Sequence, residues 1–167
     1  MLGVTISSTF SVSQHIEETV STCARALFAL RTLRAHGLNK DGLDHVFKSI
    51  ILSRLLYASP AWWGFTNASD RERLEGVLRR SIRSGFCSED SPSFAALCEK
   101  SDNDLFSQIR ANHSHVLYGL LQTKPACVYT LRERYHNFVL PDNSFTLLNC
   151  NFINRILYKN TNVVTVK

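Results

Sequence analysis

The sequence predicts a mainly α fold: a helical bundle with a short N-terminal strand and an irregular, partly helical C-terminal extension. Three observations predict it. Apolar residues recur at spacings of three and four along most of the chain. Ser or Asn before these runs and Gly after them supply start and stop signals. Loose β-branched alternation marks the first six residues.

The elements follow in order. Met1 to Ile6 reads as the end of a strand, and Ser7-Ser8-Thr9 as a turn. Ser13 offers an N-cap to a first helix with the stripe Ile16, Val20, Cys23, Leu27 and Leu30. Gly37 ends it in the left-handed cap position, Leu38 is placed to pack back on the last turn, and Arg31 and Arg34 complement the dipole there. Asn39 caps a second helix carrying Leu43, Val46, Phe47, Ile50, Leu55 and Ala58, broken near Ser59-Pro60. An aromatic cluster of Tyr57, Trp62, Trp63 and Phe65 lies around this break.

Asn67, with Asp70 three residues on, resembles a capping box and opens a third helix to about Ser84. Its apolar arc is Leu74, Val77, Leu78 and Ile82, and Gly85 stops it. Ser91-Pro92 starts a short helix with Phe94, Leu97 and Cys98, proline taking the favoured first position. Ser101 caps another, with Asp102 and Asp104 in its first turn and a broad face from Leu105, Phe106, Ile109, Val116, Leu117, Leu120 and Leu121. After Pro125 the pattern dissolves. Residues 129–140 read as extended or irregular, Pro141-Asp142-Asn143 as a turn, and Asn151 as the cap of a last helix through Phe152, Ile153, Ile156, Leu157 and Tyr158. The tail after Asn160 reads as loose. The implied organisation is a strand and linker at 1–12, a helical domain at 13–88, a helical extension at 89–160 and a tail at 161–167.

Composition narrows the function classes. With 44% hydrophobic and 20% charged residues, the 167-residue chain has the balance of a folded soluble protein rather than a disordered one. No apolar run approaches the roughly 20 residues of a membrane span, and the first residues lack the basic and apolar regions of a signal peptide. Cys23, Cys87, Cys98, Cys127 and Cys150 are odd in number and scattered, which suits buried thiols of an intracellular (nuclear or cytoplasmic) protein better than a disulfide framework. A formal net charge of +5 fits contact with polyanions without requiring it.

The chemistry of known catalytic centres is not legible. The seven glycines are dispersed rather than forming a phosphate loop, and there is no CxxC, HExxH or EF-hand pattern. His113 and His115 on one helix would point about 200° apart and could not easily share a metal. The carboxylates stand at helix starts or beside arginines, so no pair is identified for two-metal phosphoryl transfer. No metal site, cofactor or catalytic residue is assigned. The basic element is the third helix, where Arg73, Arg79, Arg80 and Arg83 lie opposite the apolar stripe. Glu75 precedes Arg79 by four and Glu72 lies on the same arc, which leaves Arg73, Arg80 and Arg83 to meet phosphates or simply to face solvent. The tryptophans could stack on bases, but packing at a helix junction is the commoner role.

The stretch Leu52-Ser53-Arg54-Leu55-Leu56-Tyr57-Ala58-Ser59-Pro60-Ala61-Trp62-Trp63-Gly64, followed by Asp70-Arg71-Glu72-Arg73-Leu74-Glu75, resembles the region after the palm in reverse transcriptases of retrotransposons without long terminal repeats (long interspersed element type). Leu2-Gly3-Val4-Thr5-Ile6 resembles the strand after the catalytic hairpin, Phe10 to Ile16 the link into the thumb, and segments 129–137 and 151–158 the extension beyond it. The pieces fall in the family's order and cover nearly the whole chain. The resemblance implies a thumb-like helical domain and an extension without the palm, whose adjacent catalytic aspartates have no counterpart in this sequence. It implies a non-catalytic part of an RNA-directed DNA polymerase that binds a template–primer (RNA–DNA) or DNA duplex weakly, through Leu2, Gly3 and Val4 and through Arg73, Arg80 and Arg83. It further implies fingers, palm and an Asp-Asp hairpin encoded upstream of Met1. The rival expectations are a helical module that binds an unknown protein partner through the aromatic cluster, and a truncated gene product without function.

Overall fold

The computed structural model describes residues 3–88, 90–122, 138–141 and 146–159. The chain is mainly α-helical and divides into two compact units, Met1–Ser101 and Asp102–Lys167. The division falls after Phe94 and Cys98, both buried in the core of the first unit, and so lies beyond the 88/89 boundary read from sequence.

The first unit begins with α1 (Ser13–Ala35), which buries Ile16, Thr19, Cys23, Leu27 and Leu30 along one stripe. Ser13 is not its cap. The serine lies inside the helix, behind Val12, and its hydroxyl donates to Oδ2 of Asp70 at 2.8 Å. A charged acceptor holds a hydroxyl more strongly than the first-turn amides would. The far end follows the sequence: Gly37 adopts φ +91°, and the N–H groups of Leu38 and Gly37 bond to the carbonyls of Leu33 and Arg34 at 3.1 and 3.0 Å. This double closure is a Schellman motif, and only glycine enters its left-handed position without strain.

Asn39 caps α2 (Lys40–Val46), its Oδ1 accepting the Gly42 N–H at 2.9 Å. The helix then continues as a π-helical segment, Phe47–Leu52, into α3 (Ser53–Leu56). The buried residues Leu43, Phe47, Ile51 and Leu55 stand four apart. In an uninterrupted α-helix such a series would drift about 40° per step around the axis. The wider i→i+5 turn removes the drift, so Ile51 is buried and Ile50, expected on the apolar face, is 51% exposed. The helix also stops at Leu56, earlier than expected. Ala58 takes a left-handed φ of +50° and turns the chain into α4 (Ser59–Trp62), where Pro60 occupies the first turn and its missing N–H costs nothing.

After a 3-10 turn at Trp63–Phe65, α5 (Ala68–Arg83) opens on the expected cap, Asn67 Oδ1 accepting the Asp70 N–H at 2.8 Å. Leu74, Val77 and Leu78 are buried, whereas Ile82 is only partly so. A second Schellman closure ends it, with Gly85 at φ +70° and the Phe86 N–H bonded to the Ser81 carbonyl at 3.0 Å. The Arg34 guanidinium donates to the Ser84 carbonyl at 2.6 Å, so the last turns of α1 and α5 adjoin, as their first turns do at Ser13 and Asp70. The two helices run side by side in the same direction.

α6 (Phe94–Ala111) is one helix where two were expected. Its start is held by Glu75 Oε2, which accepts the Phe94 N–H at 2.8 Å, and by Ser93 Oγ, which accepts the Ala96 N–H at 3.2 Å. Pro92 therefore precedes the helix instead of opening it, and Ser101 sits within it. The expected continuation to Leu121 is broken by turns after Ala111 and a 3-10 turn at Tyr118–Leu120, leaving Val116 in solvent.

In the second unit, Phe106, Ile109, Leu121, Phe138, Phe152, Ile156 and Leu157 form the core. Asn151 accepts the Ile153 N–H at 2.9 Å and starts α8 (Phe152–Lys159), preceded by a short α7 (Thr146–Cys150) that the sequence did not announce. Asp102, expected to act on a helix dipole, instead receives Arg155 through Nε at 3.1 Å and Nη2 at 2.8 Å, with both groups largely buried. Residues 123–137, which carry most of the expected irregular segment, lie outside the described residues, as do Asp142, Asn143 and the tail after Lys159.

Residues 3–6 form no strand, since no described segment offers them a hydrogen-bonding ladder. Val4 instead packs singly against the first core, and Leu2 lies outside the described residues. Among the described residues, no helix is long and apolar enough to cross a membrane.

Candidate nucleic-acid interface

The polar arc of α5 is built by the burial of its opposite side. With Leu74, Val77 and Leu78 committed to the core, Arg73, Arg80 and Arg83 are exposed. Seven residues separate Arg73 from Arg80 and three separate Arg80 from Arg83, so all three fall within about 80° of arc. Gly76 sits between them, and Arg80 Nε donates to its carbonyl at 3.0 Å.

The two acids that could neutralise this face are engaged elsewhere. Glu72 pairs with Arg79, two turns along, and raises the proton affinity of that guanidinium by hydrogen bonding and charge. Glu75, expected to hold Arg79, turns to the start of α6 and accepts the Phe94 N–H. Arg73 and Arg83 have neither a hydrogen bond nor an ion pair among the described residues.

The aromatic cluster is divided by burial. Trp62 and Trp63 are 1% and 8% exposed and meet edge to face with ring centroids 6.4 Å apart, and Phe94 packs against both. The Trp62 indole N–H donates to the Tyr57 carbonyl at 2.9 Å, which satisfies its one polar atom. Arg71 covers Trp63 at 4.8 Å from the ring centroid while donating to Thr66 Oγ1 at 2.9 Å. A base could reach these indoles only if the core opened. Phe65 stacks on Phe10 at 6.1 Å, and the Tyr57 ring alone stands half in solvent.

The arrangement therefore does not unite the residues singled out by sequence. Arg73, Arg80 and Arg83 share a face; Trp62 and Trp63 belong to the core; and Gly3 and Tyr57 line a separate cleft. Sequence reasoning placed Arg34 in the last turn of α1 without its Ser84 partner 50 residues away, and missed the Arg71–Thr66 contact and Phe86, whose burial follows from the Gly85 closure beside it. The last could have been read, because a Schellman motif brings the residue after its glycine back onto the helix. Among the described residues, no group of three His, Cys, Asp or Glu side chains could hold a metal ion. No protein-family model, curated protein or solved structure matches the chain.

Proposed function

We propose that the chain is a non-catalytic helical module that binds duplex nucleic acid weakly and without regard to sequence, the thumb-like part of an RNA-directed DNA polymerase of the retrotransposon type. The observation that carries the reading is the release of Arg73, Arg80 and Arg83 from the nearby acids, Glu72 being spent on Arg79 and Glu75 on α6. Arginines held on a rigid helix and free of carboxylates meet phosphate oxygens with little desolvation cost, and such contacts position a duplex without reading its bases. The family assignment rests on the order of the sequence motifs. Fluorescence anisotropy on a labelled duplex over a salt series tests the binding, since phosphate contacts release counterions and an apolar interface does not.

A second reading, a protein-interaction module, is favoured by one feature only. Ala26, Ala29, Leu33, Val46 and Ile50 line an apolar groove of about 100 Å³ on the first unit. Binding through it would be nearly indifferent to salt.

A further inference from the structure

A cleft of about 430 Å³ opens on the first unit between α1 and the π-helical segment. Its walls include His15, Thr19, Ser49, Ser53, Arg54 and Tyr57, and among the described residues no carboxylate lines it. None of the arginines of the α5 face borders it.

Its polar groups are sorted by what they can still give. Arg54 is exposed and has neither a hydrogen bond nor an ion pair among the described residues, so its five N–H donors are available. Thr19 is only 9% exposed, and its hydroxyl is likewise unpartnered among those residues. The threonine lines the cleft, so this hydroxyl can donate to a ligand oxygen there. Ser49 and Ser53 are the reverse case. Ser49 gives its hydroxyl proton to the His45 carbonyl at 2.8 Å, and Ser53 gives its own to the Ser49 carbonyl. Both therefore present lone pairs to the cleft and accept hydrogen bonds. The Tyr57 ring and the Ile50 side chain, about half exposed, form an apolar edge.

A ligand matched to this lining carries an anion at one end, hydroxyl or amino donors in the middle and a flat apolar face. The volume is that of a small-molecule site rather than of a duplex groove. We propose that this cleft binds a nucleoside monophosphate, free or at the end of a strand, with the phosphate on Arg54 and Thr19, sugar hydroxyls on Ser49 and Ser53, and the base against Tyr57. Base stacking on an exposed aromatic ring is tolerant of base identity, so the site should favour the phosphate over any particular base.

Isothermal titration calorimetry on the full chain tests this with adenosine 5′-monophosphate, adenosine and a 5′-phosphorylated trinucleotide. The monophosphate should saturate one site, and adenosine should bind at least about tenfold more weakly, as expected for loss of a charge-assisted contact. Arg54→Gln should weaken the monophosphate at least about tenfold, and the near-isosteric Thr19→Val several-fold. The R73Q/R80Q/R83Q protein should bind the monophosphate unchanged, which separates this cleft from the α5 face. A trinucleotide that binds more tightly than the monophosphate identifies a strand end as the natural occupant, and one that binds equally or less tightly identifies the free nucleotide. Equal affinity for monophosphate and adenosine, an Arg54→Gln protein that binds like the wild type, or no saturable heat up to about 1 mM ligand would each overturn the assignment. Arg54 is exposed, so its replacement leaves the core intact, and circular dichroism of both variants confirms the fold.

Discussion

The Ser13 hydroxyl donates to Oδ2 of Asp70 at 2.8 Å, joining the first turns of α1 and α5 across 57 residues of chain. Asp70 is 3% exposed, and the Asn67 amide reaches the same serine at 3.4 Å. Asp70 thus serves twice: its backbone N–H completes the cap of α5, and its side chain fixes the entry of α1.

This pairing should appear as energetic coupling. Ser13→Ala removes a side-chain donor to a buried carboxylate and should cost about 1.5–3 kcal/mol. Asp70→Asn should cost less in the Ser13→Ala background than alone. Urea unfolding of the four proteins of a double-mutant cycle measures the difference, and simple additivity would show that the contact contributes nothing.

The α5 face should be visible in salt dependence. If Arg73, Arg80 and Arg83 each meet a phosphate, replacing all three with glutamine should lower the slope of log affinity against log salt by about 0.9 per contact. Affinity should barely differ between unrelated duplexes. An unchanged slope in a folded triple variant would leave these arginines as solvated surface.

Cys23 should be nearly inert in the native state. It is fully buried, and burial pushes its thiol up to about 11, with the Arg54 charge opposing. Cys98 is equally enclosed. Thiolate is the reactive species, so labelling of these two by a disulfide reagent at pH 8 should follow global unfolding, whereas Cys87 and Cys150, which are partly exposed, should label faster. Mass mapping of labelled peptides over time reads this directly; Cys23 labelled as fast as Cys87 would contradict the packing of α1.

His15 should contribute to acid sensitivity. Partial burial lowers its pKa below the ordinary 6.5, with Glu18 opposing, and its ring sits edge-on to Trp62 at 5.7 Å. As pH falls, the unfolded chain takes up this proton first. The stability that His15 contributes is therefore complete above about pH 6.5 and is lost as pH drops through the lower folded value. His15→Asn should show a shallower decline of the urea midpoint between about pH 7 and 5 than the wild type, across the histidine range. Parallel declines would acquit His15.

Ser59 offers a stabilising substitution. Its Oγ is fully buried and has no hydrogen-bond partner among the described residues. Ser59→Ala removes an unsatisfied group at almost constant volume and should raise stability by about 1 kcal/mol. A clear loss in a thermal melt would mean that the hydroxyl has a partner, such as a bound water.

What was legible in the sequence was what is decided locally. Asn39, Asn67 and Asn151 cap helices, and Gly37 and Gly85 stop them, because each acts on backbone groups within a few residues of itself. The failures have distant causes. Ser13 looks like a cap until Asp70 claims its hydroxyl, and Ser101 looks like one until the helix from Phe94 runs through it. Asp102 looks like a dipole partner until Arg155, 53 residues later, closes on it. The candidate site divides in the same way. Helical spacing revealed the shared face of Arg73, Arg80 and Arg83, but not the redirection of Glu75 to Phe94 that leaves it positive. Nor could spacing bring Thr19 and Arg54 to one cleft, since they stand on different helices.

The π-helical turn at Phe47–Leu52 makes this stretch of helix a natural place for the chain to change length. Elsewhere in a helix, losing one residue rotates everything downstream by about 100° and carries the buried stripe into solvent. Here the turn already holds a supernumerary residue, and Ile50 is the half-exposed one. Deleting Ile50 would leave Leu43, Phe47, Ile51 and Leu55 spaced four, three and four, the interval of an ordinary α-helix, with Ile51 and Leu55 still facing inward. Length variants of this protein should therefore gather at Phe47–Leu52, and they would reshape the wall formed by Ser49 and Ser53 while sparing the core beneath it.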